Sequence, residues 1–288
     1  MVKTPLRAGV LIPSVVIVLV LGLVLGIVLG TTVFTSRDTD AIPNITHKPA
    51  PLTTVTIPKG QGIFAPFILP VQLNTTVTWK NNDTVTHTIL STPNQSSFLN
   101  VNAITLNVTA GQSVKFTFTK PGLYHYYDNT MATWNAATSR VAANKGVPNY
   151  PLAMDGVIWV QGSINFLPSA ATNHIPAGHD DFANEFTAIN SGGTLSIHNF
   201  DTDPHFLAEV PDLPAPINPA ELGINRIGGT DDVPGGETIT LFFTAPGLYY
   251  YYCPNHAVVE QSWHRASAFK AASEYPIPME GFVLVIGK

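Results

Sequence analysis

The chain has 288 residues, of which 11% are charged, and a formal net charge of −5 at pH 7. This acidic balance argues against a nucleic-acid partner, and the length suits one large domain or two domains of common size. A single cysteine excludes an internal disulfide, so its thiol is buried and inert, paired between chains, or bound to a metal.

The N-terminal segment predicts a membrane anchor. Residues 10–33 are uncharged and almost wholly apolar. At about 1.5 Å per residue, such a helix spans a hydrocarbon core of about 30 Å. Lys3 and Arg7 precede the run, which predicts a cytoplasmic N-terminus and an external remainder. The alternative, a cleaved signal peptide, usually has a shorter apolar run. We therefore predict a cytoplasmic N-terminus and single-pass transmembrane helix over residues 1–34 in the cell membrane, then a linker over 35–51.

Short strands follow the linker. From residue 52 onward, short segments alternate polar and apolar side chains, most clearly SVKFTFT at 113–119, with glycine, proline and asparagine between them. This pattern is typical of a β-sandwich. Beyond the anchor, the sequence therefore predicts an all-β protein.

The strand pattern occurs twice. The segment PGLYHYYDNTM at 121–131 is repeated as PGLYYYYCPNH at 246–256, and AMDGV at 153–157 is repeated as PMEGF at 278–282. The repeat predicts two tandem sandwich domains, over residues 52–162 and 163–288. Few helix breakers occur in 132–145 and 257–274, so we expect a short helix over one end of each sandwich.

The second repeat carries four groups that bind metals. His205 follows a turn after an early strand, Cys253 ends a late strand, His256 comes three residues later, and Met279 precedes the last strand. Two imidazoles, one thiolate and a weak axial thioether form copper sites for one-electron transfer. His264 is an alternative fourth ligand, which would give a less blue, more tetragonal centre.

Three loops resemble a known family. NFDTDPH at 199–205 and YCPNH at 252–256 resemble the two ligand loops of plastocyanin-like domains, and Met279-Glu-Gly281 resembles their Met-x-Gly turn. The resemblance to tandem cupredoxins covers about residues 52–288. It implies Greek-key sandwiches and one type 1 (blue) copper per chain, with His205, Cys253, His256 and Met279 as ligands. Met279 lies further from His256 than in the family, and Phe206 stands where an asparagine is common.

The first repeat lacks a complete copper set. It keeps His87, but Asp128 and Met131 stand where Cys253 and His256 stand in the second repeat. We therefore expect a metal-free domain that supports the second. Three other histidines have ordinary interpretations: His174 and His179 as solvated loop residues, with a secondary metal site as the alternative, and His198 as a strand residue that faces away from the site.

Two classes of function remain. The first is a membrane-anchored, extracytoplasmic electron carrier that passes single electrons between redox partner proteins, and the acidic excess favours a basic docking surface on the partner. The second is a copper oxidoreductase resembling nitrite reductases, multicopper oxidases or nitrosocyanin. The first two need His-x-His pairs or a histidine beside the cysteine, whereas Tyr252 and Pro254 flank Cys253 here; the third would use His264 and a carboxylate. Copper storage is a further possibility, but methionine-rich runs are missing from the sequence.

Overall fold

The computed structural model describes residues 52–93, 98, 104–165, 167–214, 216–217, 225–226 and 232–287. The predicted anchor and linker, residues 1–51, lie outside these ranges. Within the described ranges, no helix is long and apolar enough to cross a membrane.

Strands β1 to β10 form two sheets and a hairpin. Their bounds are β1 (Thr54–Ile57), β2 (Ile68–Gln72), β3 (Thr76–Asn81), β4 (His87–Ser91), β5 (Thr105–Val108), β6 (Ser113–Thr117), β7 (Gly122–Asp128), β8 (Ala132–Asn135), β9 (Arg140–Ala143) and β10 (Asp155–Gln161). One sheet has the order β1-β3-β6, the other has the order β2-β10-β7-β4-β5, and β8 pairs with β9.

Strands β11 to β22 follow. Their bounds are β11 (Ala170–Ile175), β12 (Phe186–Asn190), β13 (Gly193–Asn199), β14 (His205–Phe206), β15 (Ala208–Glu209), β16 (Asn225–Arg226), β17 (Asp232–Val233), β18 (Thr238–Phe243), β19 (Gly247–Tyr252), β20 (Ala257–Glu260), β21 (Arg265–Ala268) and β22 (Glu280–Ile286). The larger sheets have the orders β11-β13-β18-β16 and β12-β22-β19-β15, and two pairs, β14-β17 and β20-β21, stand beside them.

The two sets share one pairing scheme. β1 runs parallel to β3 as β11 does to β13, and β2 runs parallel to β10 as β12 does to β22. β7 and β19 are each antiparallel to the last strand of their set. The described part of the chain contains strands and no helix, so the predicted all-β class is confirmed. Pro49–Lys288 form one compact unit, and the boundary near residue 162 stays a prediction.

The two short helices expected at 132–145 and 257–274 are wrong, because both segments form hairpins. Ala132 pairs with Ala143, and Ala257 pairs with Ala268. Buried and more exposed side chains alternate along β20, which is the period of a strand. Ser139 and His264 adopt positive φ of 54° and 48° near the hairpin turns, a conformation that a continuous helix cannot include.

The two sets of strands meet across a shared apolar core. Phe67 and Trp159 from the first set lie in one buried cluster with Phe186, Tyr250 and Phe282 from the second. The Phe186 and Phe282 rings stack with centroids 4.8 Å apart, and the ring of Phe67 lies 5.7 Å from that of Tyr250. Separating the two sets would expose these rings to water, which explains why contacts define a single unit.

Each hairpin also sends a buried arginine into the opposite set. Arg140 of β9 donates to the carbonyl oxygens of Phe182, at 2.6 Å, and Glu280, at 2.9 Å. Arg265 of β21 donates to the carbonyl of Ala153 and to Asp155 Oδ1, at 2.9 Å and 2.8 Å. Each hairpin therefore links its own set of strands to the opposite set through the hydrogen bonds of its buried arginine.

Candidate metal centre

A hydrogen-bonded turn positions His205. Asn199, which is fully buried, ends β13, and its Nδ2 donates to the carbonyls of Asp203 and Val233 at 2.8 Å and 2.9 Å. Its Oδ1 accepts the backbone N–H of Asp201 at 2.8 Å. An asparagine side chain that satisfies the backbone in this way stabilises a sharp turn. The turn delivers His205 to the start of β14, where it is fully buried.

The second loop begins where β19 ends. The Cys253 N–H donates to the carbonyl of Met279 at 2.9 Å, which ties the loop to the start of β22. The Cys253 carbonyl accepts from the N–H groups of His256, at 3.1 Å, and Ala257, at 3.0 Å. This tight turn brings the His256 side chain back over the cysteine. Cys253 Sγ is fully buried and accepts the Phe206 N–H at 3.3 Å.

The two loops bring three ligand atoms together. Cys253 Sγ lies 4.0 Å from His205 Nδ1 and 3.5 Å from His256 Nδ1, and all three atoms lie within 4.8 Å of one another. A tetrahedral ion with bonds of about 2.3 Å to sulfur and 2.0 Å to nitrogen separates such ligands by roughly 3.5 Å. The three side chains therefore fit around one metal ion without rearranging the backbone.

The outer edge of each imidazole faces a carboxylate. His205 Nε2 lies 3.4 Å from Asp201 Oδ2, and His256 Nε2 lies 3.1 Å from Asp180 Oδ1. A carboxylate at Nε2 favours the tautomer that leaves Nδ1 unprotonated, and it makes the ring a stronger ligand. Both rings therefore present a lone pair to the position beside the sulfur.

Protonation in the absence of a metal follows from burial. Burial, with the neighbouring His256, holds the pKa of His205 below 6.5 despite Asp201, so the ring is neutral near pH 7. Burial raises the pKa of the Cys253 thiol above 9.0, although the N–H groups of Phe206, Asn255 and His256 oppose this. Metal binding at this site would therefore release the thiol proton.

The two candidates for a fourth ligand occupy different places. Met279 is fully buried, precedes β22, and lies in the same apolar cluster as Cys253. His264 lies in the turn between β20 and β21, and its Nδ1 is buried without a hydrogen-bond partner among the described residues. Among the described His, Cys, Asp and Glu side chains, the group around Cys253 contains His205 and His256 but not His264.

The equivalent position in the first set holds a hydrogen-bonded histidine and carboxylate. His87 Nδ1 lies 2.9 Å from Asp128 Oδ2, and Asp128 Oδ1 accepts the N–H groups of Thr130 and Met131 at 2.8 Å and 2.9 Å. Burial by itself would raise the pKa of Asp128, but the hydrogen bonds from His87 and Thr130 outweigh it and leave the pKa below 3.8. A carboxylate bonded in this way takes the place that the thiol has in the second set.

Three other histidines, which have ordinary interpretations from the sequence, lie away from the three converging ligand atoms. His198 Nδ1 lies 2.7 Å from Thr238 Oγ1, and its ring packs against Phe200 with centroids 4.1 Å apart. The loop position predicted for His174 is wrong, because His174 lies in β11, where its ring contacts the same phenylalanine at 5.7 Å. His179 instead contacts a carboxylate, since its Nδ1 lies 2.6 Å from Glu274 Oε1.

Sequence reasoning missed the two carboxylates behind the imidazoles. Asp201 stands four residues before His205, inside the motif itself, so this spacing was a usable signal. Asp180 is 76 positions from His256 (256 − 180), and no local pattern connects them. Its loop is held by hydrogen bonds to Ser273 and Glu274, which only the tertiary structure reveals.

No protein-family model and no curated protein matches the chain. Among solved structures, the chain is similar to a purple cupredoxin from Nitrosopumilus maritimus, with 23% identity over 38% of this chain and 99% of that chain, and a TM-score of 0.25. It is also similar to an amicyanin mutant in its reduced state, with 18% identity over 41% of this chain and 82% of that chain, and a TM-score of 0.25. These similarities carry no argument about activity, and the candidate metal centre rests on the chain's own residues.

Proposed function

We propose that the chain is a cupredoxin-like protein with two tandem sandwich domains, which binds one type 1 copper in the second domain and carries single electrons. The observation that carries the proposal is the convergence of Cys253 Sγ with the Nδ1 atoms of His205 and His256. A thiolate with two imidazoles is a donor set that suits both oxidation states of copper.

When bound, copper supplies the one-electron couple. The chain's own residues exclude water and hold the two ligand loops in place. Cys253 and His205 are fully buried, so water is excluded from that side of the site. The Asn199 turn and the hydrogen bond from Cys253 N–H to the Met279 carbonyl fix the two loops. Loops held in this way keep the ligands in place in both oxidation states, which speeds electron transfer by limiting rearrangement.

We propose Met279 as the weak fourth ligand. Its backbone is bonded to Cys253, and both side chains lie in one buried cluster. His264, by contrast, lies at the tip of a hairpin, outside the group of ligand atoms. A thioether is a weak axial ligand, which preserves a strong bond between copper and the thiolate.

We also propose that the protein works outside the cell membrane. The uncharged run at 10–33, with Lys3 and Arg7 before it, supports an anchor with a cytoplasmic N-terminus. After those two residues are set aside, 12 basic residues (14 − 2) remain against 19 acidic residues, which favours a partner with a basic docking surface. The first domain would support the copper domain without binding copper.

Copper titration of the purified protein tests the proposal. We expect one copper per chain and an intense visible band from the thiolate-to-copper transition. Cys253→Ser and His205→Ala should abolish the band, whereas the matched control His198→Ala should retain it because His198 bonds Thr238 instead. A band that survives Cys253→Ser contradicts the site. Two or more tightly held coppers would favour the alternative class, a copper oxidoreductase.

A further inference from the structure

We propose that His179, Asp181 and Glu274 form a second metal site, which binds a divalent cation such as Zn²⁺ beside the copper centre and independently of copper. We call these three residues the His179 cluster. None of them belongs to the proposed copper ligands, so the two sites stand on separate side chains.

The ligand atoms of the His179 cluster already converge. One ligand atom from each residue lies within 4.8 Å of the other two. His179 Nδ1 lies 2.6 Å from Glu274 Oε1. The third member, Asp181, is only 4% exposed, and its Oδ1 has no hydrogen-bond partner among the described residues. A buried carboxylate oxygen without a partner is costly, and a cation in the cluster would satisfy it.

The electrostatic environment of Asp181 also favours a bound cation. Burial raises the pKa of Asp181 above 3.8, and Glu274 raises it further, while Arg140 opposes both. Arg140 does not satisfy the free oxygen, since its NH groups donate to the carbonyls of Phe182 and Glu280. Asp181 and Glu274 have carboxylate oxygens within 4.8 Å of each other, and Asp181 Oδ1 has no hydrogen-bond partner among the described residues, so a cation here would relieve their repulsion.

The backbone around the cluster is fixed in advance. Glu274 Oε2 accepts the Asp180 N–H at 2.6 Å, which leaves Oε1 facing His179. The Ser273 N–H donates to Asp180 Oδ2 at 2.7 Å, so hydrogen bonds in both directions join the two segments. The His179 side chain is half exposed, which gives a cation access from solvent. Ligands that are held before the metal arrives lower the cost of binding.

The donor set selects the metal class. One imidazole nitrogen with two carboxylate oxygens, and no sulfur, suits borderline and hard divalent ions such as Zn²⁺, Co²⁺ or Mn²⁺. It does not suit Cu(I), which prefers sulfur. Three protein ligands leave at least one position for water.

Calorimetric titration with Zn²⁺ of the full-length protein loaded with one equivalent of Cu(I) tests the second site, because Cu(I) prefers the sulfur site and does not suit the His179 cluster. We expect one Zn²⁺ per chain. Asp181→Asn should lower the affinity at least tenfold. His179→Ala should do the same, and this variant should fold as the wild type does because the His179 side chain is half exposed. The matched control Asp212→Asn, at an exposed position outside both sites, should bind Zn²⁺ as the wild type does.

Two results would overturn the second site: no Zn²⁺ binding by the copper-loaded protein, or equal affinity in the wild type and Asp181→Asn. A third measurement separates this inference from the copper proposal. Copper-free Cys253→Ser protein should still bind one Zn²⁺, and this binding should still be lost in the Asp181→Asn double variant. If Cys253→Ser alone abolishes Zn²⁺ binding, the ion occupies the cysteine site and the His179 cluster is not a metal site.

Discussion

Replacing Asp180 with asparagine should raise the reduction potential of the bound copper. Asp180 Oδ1 lies 3.1 Å from His256 Nε2. Adding the width of the imidazole and one metal–nitrogen bond puts the carboxylate roughly 7 Å from the ion. A unit charge at about 7 Å interacts with the extra charge of Cu(II) by roughly 0.6 kcal/mol at a dielectric constant of about 80, and by roughly 2.4 kcal/mol at about 20. Because a tenfold change in equilibrium constant is about 59 mV for one electron, the expected rise is about 25–100 mV.

Spectroelectrochemical titration of the visible band measures this shift. Glu237→Gln is the matched control, since it removes the same charge from an exposed residue in the turn before β18. The control should shift the potential less, because its effect is screened by water. A shift in Asp180→Asn that is no larger than the control, or a fall in potential, would refute the role assigned to this carboxylate.

Three further predictions follow from the same contacts. Met279→Leu should keep the visible band and change the potential, whereas His264→Ala should change neither; the opposite pattern in redox titration would make His264 the fourth ligand. Arg265→Met should lower the free energy of unfolding by about 3–5 kcal/mol in urea denaturation, because it breaks a buried ion pair and leaves Asp155 with His125 as its other side-chain partner; a loss below about 1 kcal/mol would contradict the role assigned to Arg265. Burial raises the pKa of Glu280 from 4.5 to about 7, so its contribution to stability is complete below pH 4.5 and lost as the pH rises through about 7. Copper-loaded protein should therefore be less stable above this window than within it, and Glu280→Gln should weaken that dependence.

Several of the strands were accessible from the sequence. Alternation in segments such as 113–119, with turn residues between them, records which side chains face the core, and that information is local. The doubled motif likewise predicted a repeated scheme, and the pairing of β1 with β3 and of β11 with β13 repeats it. The three candidate ligands of the second set could be predicted because two short loops contain them, each with its own turn chemistry.

The hairpins show where local reading failed. Residues 257–274 contain alanines and few helix breakers, so propensity by itself favoured a helix. The tertiary structure favours strands because a hairpin lets Arg265 reach the Ala153 carbonyl and Asp155 in the opposite set. Such a contact joins residues 110 positions apart (265 − 155), and it leaves no periodic trace in the sequence.

The all-β class, the repeat and the order of the candidate copper ligands could be derived from the sequence, because each depends on residues that are neighbours in the chain. The carboxylates that lie behind those ligands became visible in the tertiary structure. It brought Asp180 to His256, and it gathered His179, Asp181 and Glu274 from two distant segments. Folding creates these contacts by packing one loop against another, and the sequence does not encode such proximity in any local pattern.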